Sequence, residues 1–99
     1  MRKKNRPLLG RLSQGYISLL LTPKGTDGSR TVSLARCGAY EVRLVELAQD
    51  ADASSLWLRL YDRATRAALD SRRCDDLDDG ESVVEHLLSR AIELHRIHA

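Results

Sequence analysis

The chain reads as an α+β domain: an antiparallel meander sheet of four to five strands packed on one C-terminal α-helix. Three observations carry this. Leu56, Leu58 and Leu60 alternate with Trp57, Arg59 and Tyr61, the period-two pattern of a half-buried strand. Short polar turn segments separate that run from its neighbours, which favours hairpins between successive strands. From about Asp76 to Ile97 the apolar spacing changes to steps of three and four, the pattern of a helix with one buried stripe.

The elements follow in chain order. Residues 1–7 are read as a flexible basic tail and residues 8–99 as a single domain. Tyr16 to Leu21 (Tyr-Ile-Ser-Leu-Leu-Leu) reads as a first strand, with a start near Leu12 as the alternative boundary. It ends in a segment holding Pro23, Gly25 and Gly28, which supply the fixed and positive φ values of a reversing loop. Residues 30–36 form the second strand, Cys37-Gly38 a tight break, and 39–47 the third. The polar run Gln49 to Ser54 is a loop, 55–61 the fourth strand, Asp62 to Arg66 a turn, and 67–73 a weaker fifth strand, because Ala67 and Ala68 are poor strand formers.

In the helix, Leu77, Gly80, Val84, Leu87, Leu88, Ala91 and Leu94 or His95 share one stripe. The carboxylates Asp75, Asp76, Asp78, Asp79 and Glu81 crowd its start, where they cap free N–H groups and oppose the helix dipole; Arg90, His95, Arg96 and His98 lie toward its end. Gly80 implies either that the helix begins after it, capped by Asp78 or Asp79, or that another layer approaches closely there.

Alternation assigns Ile17, Leu19, Leu21, Val32, Leu34, Val42, Leu44, Leu56, Leu58, Leu60 and Leu69 to the face beneath the helix. The opposite face then holds Tyr16, Leu20, Glu41, Arg43, Val45, Leu47, Trp57, Arg59 and Tyr61. A one-residue slip would exchange the two sets.

Composition bounds the function. The 99 residues suffice for one domain. A net charge of +2 is too small to argue for nucleic acid by itself, but Arg2, Lys3, Lys4, Arg6 and Arg11 make a basic start without an acid among them. Cys37 and Cys74 form no CxxC pair. No apolar run is long enough for a membrane span, and Pro7-Leu8-Leu9 is too short for a signal-peptide core. A reducing cytoplasm with two free thiols is the simplest expectation.

No catalytic or cofactor motif emerges, so the chain is read as non-enzymatic and without a cofactor. His95 and His98 share a helical face but lack the companions of a zinc site, and helix-end charge complementarity explains them; no metal is expected. Arg36 beside Cys37, and the helix start beside Cys74, are settings that lower a thiol pKa, yet no histidine base lies near Cys37 in sequence, and both cysteines read as plain buried or half-buried small residues. The carboxylates of 75–81 lack the ligand order of a calcium loop. Lys24-Gly25-Thr26 lacks the glycine spacing and following helix of a phosphate loop.

The informative feature is the face opposite the helix. Water gives no reason for Trp57 and Leu47 to lie there. Its candidate interaction residues are Trp57, Arg59, Tyr61, Tyr16 and Arg43. Three coverings compete: another part of the chain, a second copy in a homodimer, where Trp, Tyr and Arg are enriched, or stacked nucleic-acid bases, with Arg2, Lys3, Lys4, Arg6 and Arg11 on phosphates. The homodimer is the leading expectation and nucleic acid the alternative.

Overall fold

A computed structural model of the chain describes residues 10–48 and 54–98, except the side chains of Leu77 and Asp78. Along the chain come α1 (Arg11–Leu20), β1 (Arg30–Cys37), β2 (Tyr40–Ala48), β3 (Ser54–Asp62), β4 (Ala67–Arg73) and α2 (Leu77–His98). The strands form one antiparallel sheet in the order β1-β2-β3-β4, the meander the short turns predict. The proposed tail, and the boundary after residue 7, lie outside the described residues.

One element differs from the sequence reading. Residues 16–21 are not a strand: Arg11–Leu20 is a helix. A continuous apolar run fits either period, and here the helical one wins because Leu12, Tyr16 and Leu19 recur at i, i+4 and i+7. Leu12 and Leu19 are fully buried, and Tyr16 packs against the same core. Ile17 and Leu21, assigned to the buried face, are exposed, as is Leu20. Buried Gly15 lets α1 approach β1 closely, since a Cβ there would collide with the Leu34 side chain.

The start of α1 is completed from the other end of the chain. Gly10 provides no side-chain cap. Glu81 instead accepts hydrogen bonds from Leu12 N (2.8 Å), Ser13 N (3.2 Å) and Ser13 Oγ (3.0 Å). A carboxylate at this position satisfies free helix donors and opposes the dipole. The helix stops as Leu21 N turns back to Ser18 O and Thr22 N to Leu19 O, just before Pro23.

In α2, Val84, Leu87 and Ala91 are fully buried, while Leu88 and Leu94 pack at the margin. The helix begins at Leu77, before Gly80, so Asp78 and Asp79 lie inside its first turn rather than at the cap. Gly80 is required by close approach: a Cβ would strike Leu12 of α1 and Cys74 at the end of β4. The approaching layer at this point is therefore α1 as much as the sheet.

Both helices cover the same sheet face. Their inward side chains join Tyr40, Val42, Leu44, Leu58 and Leu60 in one core, with Val32, Leu34 and Leu56 packed against it. Leu69, assigned to this face, is 42% exposed, because the register shifts between Leu60 and Tyr61 and leaves it at a bulge on the edge strand. At one end of the covered face Arg30 Nε meets Glu46 Oε1 at 2.6 Å and Arg30 Nη1 meets Thr22 O at 3.1 Å, tying the loop after α1 to the sheet.

The two hairpin turns fit their sequences unequally. Gly38 has φ +59° and Ala39 does not follow it into the left-handed region, the pattern of a type II′ turn. In the β3–β4 turn Arg66 takes φ +61° without being glycine, and Asp62 Oδ1 accepts Ala64 N at 2.9 Å.

Candidate interface on the open sheet face

The second face of the sheet is assembled by register. Thr31, Val45, Trp57 and Arg73 form one cross-strand row, and Ser33, Arg43, Arg59 and Ser71 the next. Glu41 stands between Arg36 and Tyr61 in a third row. Residues directly opposite on antiparallel strands sit close enough for their side chains to touch. Among the described residues, no helix lies over these rows.

The face has two unlike ends. Near the β2–β3 connection are Leu47, Val45 and Trp57. Val45 is only 6% exposed, while Trp57 is half-buried and donates from Nε1 to Ser55 Oγ at 2.9 Å. The indole N–H is thus satisfied within the chain, and the ring beside it is free to offer apolar surface.

Near the two hairpin turns the face is a charged cluster centred on Glu41. Arg43 Nε reaches Glu41 Oε1 at 2.7 Å and Arg36 Nε reaches Oε2 at 3.3 Å. The Arg43 guanidinium lies over the Tyr61 ring, 4.0 Å from its centroid, a cation–π contact that also helps cover Glu41. Glu41 is 3% exposed. Burial pushes its carboxyl upward, but hydrogen bonds from Ser33, Arg43 and Arg36 and the charge of Arg43 outweigh it, leaving the pKa below the ordinary value. Arg59 faces Arg43 directly across the strands and donates to Ser71 Oγ at 3.3 Å.

Trp57, Arg59, Tyr61 and Arg43 therefore share the open face as the alternation predicts. Tyr16 does not join them. As a residue of α1 it packs against the core on the covered side, a consequence of the helical period replacing the strand. Arg2, Lys3, Lys4 and Arg6 lie outside the described residues; Arg11 is the first residue of α1 and so belongs to the helix side. Thr31, Ser33, Arg36, Ser71 and Arg73 are members the sequence reading left out. Alternation within β1 and β4 carries their signal, but the register shifts between Ser33 and Ala35 and between Leu60 and Tyr61 interrupt it.

The thiols are separate and unpaired. Cys74, placed by sequence where a helix start would favour thiolate, has its pKa raised instead. Burial is the main cause, the charges of Asp75, Asp76 and Glu81 add to it, and a backbone hydrogen bond at Asp76 opposes it only in part. Cys37 is half-buried against the core. His95 packs over Gly38 of the β1–β2 turn. Among the described residues no helix is long and apolar enough to cross a membrane.

No protein-family profile matches the chain, and neither the curated proteins nor the solved structures contain a significant match to it.

Proposed function

We propose that the protein is a non-enzymatic interaction module that forms a homodimer through the open sheet face. The observation that supports it is Trp57, half-buried beside Val45, on a sheet face that no described helix covers. A two-fold axis near Trp57 and Val45 would bury the apolar end of each face against the other and leave the Glu41 cluster at the rim. The product is a helix–sheet–sheet–helix stack, its sheets about 10 Å apart. Sedimentation of the full chain tests this: a dimer that Trp57→Ala shifts to monomer supports the reading, and a monomer at high micromolar concentration refutes it.

A second reading has its own observation. The open face carries Arg36, Arg43, Arg59 and Arg73, with Trp57 and Tyr61 among them; Arg36 and Arg43 pair with Glu41 and Arg73 with Asp75 at 3.0 Å. Arginine and aromatic groups on a sheet suit stacking on single-stranded nucleic acid. Salt separates the two readings. Added salt screens arginine repulsion across a dimer and strengthens it, whereas it weakens phosphate binding steeply. Binding of a labelled single strand at about 50 mM salt, where such contacts are strongest, favours nucleic acid.

A further inference from the structure

The sheet has two free edges, and they are not alike. The edge strand β4 carries Asp70, Arg72 and Arg73, with Asp70 held by Arg90 of α2 at 3.1 Å. Charges of this kind protect an edge from pairing with another chain. Both edge strands carry a bulge, β1 at Leu34 and β4 at Leu69. The difference is charge: β1 has none from Thr31 to Ala35, although Arg30 and Arg36 flank that stretch. Alternate backbone N–H and C=O groups of such a strand point away from its one partner and are available to a further strand.

Beside this uncharged edge runs α1. Between them is a half-open cavity of about 180 Å³, lined by Arg11, Gln14, Gly15 and Ser18 of α1 and by Ser33 and Leu34 of β1. It is smaller than the roughly 300 Å³ at which small-molecule pockets begin. It does have room for a side chain projecting from a strand laid along β1. An exposed sheet edge can take up an extended peptide as an added strand, the backbone supplying affinity and a neighbouring pocket the selectivity.

Charge selects the occupant. Arg11 is exposed and makes no ion pair with any described residue. A second copy of β1 paired antiparallel about Ser33 would set Arg30 opposite Arg36 at both ends, which like charges disfavour. The chain's own residues 1–9 hold Arg2, Lys3, Lys4 and Arg6 and no acid, and suit Arg11 no better.

We infer that the groove between α1 and the free edge of β1 binds an extended acidic peptide as an added strand, with Arg11 receiving one of its carboxylates. This surface is distinct from the open sheet face and does not depend on how that face is covered.

The test uses the full chain and a fluorescein-labelled peptide, Glu-Thr-Val-Thr-Val-Thr-Glu, with a control in which lysines replace both glutamates. Anisotropy should show the acidic peptide binding in preference to the control. Arg11→Gln should weaken it about tenfold, while Arg11→Lys retains most of the affinity. Hydrogen exchange should show the outward-pointing amides of Thr31 to Ala35, those not bonded to β2, becoming protected only when the acidic peptide is added. Equal binding of the two peptides, protection confined to other strands, or protection of the outward-pointing amides of Thr31 to Ala35 before peptide is added would each overturn the inference.

Discussion

The two faces of the sheet come from the same alternating strands but hold together by different means. On the covered face Val42, Leu44, Leu58 and Leu60 are fully buried under two helices, so dispersion and water exclusion dominate. On the open face the buried groups include Glu41 and Ser55, which no described helix covers. The covered face should therefore respond to volume and the open face to charge and to association. That difference also locates function, because a face already sealed by its own helices has nothing left to offer a partner.

The largest expected effect breaks the covered face. Leu58→Ala removes a fully buried side chain and should cost about 2–5 kcal/mol in urea unfolding. Trp57→Ala, at the next position on the other face, should lose much less stability in the isolated protomer; an equal loss would mean that the two faces are not different in kind. Next is the clasp between the helices. Glu81→Ala leaves Leu12 N, Ser13 N and Ser13 Oγ without their acceptor and should cost about 1–2 kcal/mol, with Glu81→Gln recovering part of it.

Arg66→Gly should act in the opposite direction. It relieves a left-handed conformation that costs a non-glycine residue about 1 kcal/mol, and the melting temperature should rise. The smallest effect is in pH dependence. Glu41 and Glu46 both have lowered pKa values: burial opposes the shift, but hydrogen bonds from Ser33 and the arginines at Glu41, and from Arg30 and Ser54 at Glu46, prevail. Their stabilisation is complete above the unfolded carboxylate range, about pH 4.3, and fades as pH falls through the lower folded values. Replacing both by Gln should lower stability at neutral pH and flatten the acid limb of the unfolding profile.

Much of this was legible in the residues, for definite reasons. Leu56 to Tyr61 alternates cleanly because β3 has a core on one side only, and the stripe of Val84, Leu87 and Ala91 survives because α2 lies flat on the sheet. Helix α1 escaped because Tyr16 to Leu21 is apolar on both sides, and because its determinants are remote: the cap is Glu81 and the close approach at Gly15 depends on Leu34. Tyr16 was assigned to the open face for the same reason. The Glu41 cluster was visible only in part. Arg43 and Tyr61 follow from alternation, but Ser33 and Arg36 join through a register that shifts at the β1 bulge.

The chain's single tryptophan makes the central claim directly measurable. Acrylamide quenching of Trp57 fluorescence can be followed while the 99-residue chain is diluted from high to low micromolar concentration. If a second copy covers the open face, quenching rises on dilution, in step with the dimer–monomer transition seen by sedimentation. Quenching that stays the same across that transition, or a monomer throughout, would contradict it.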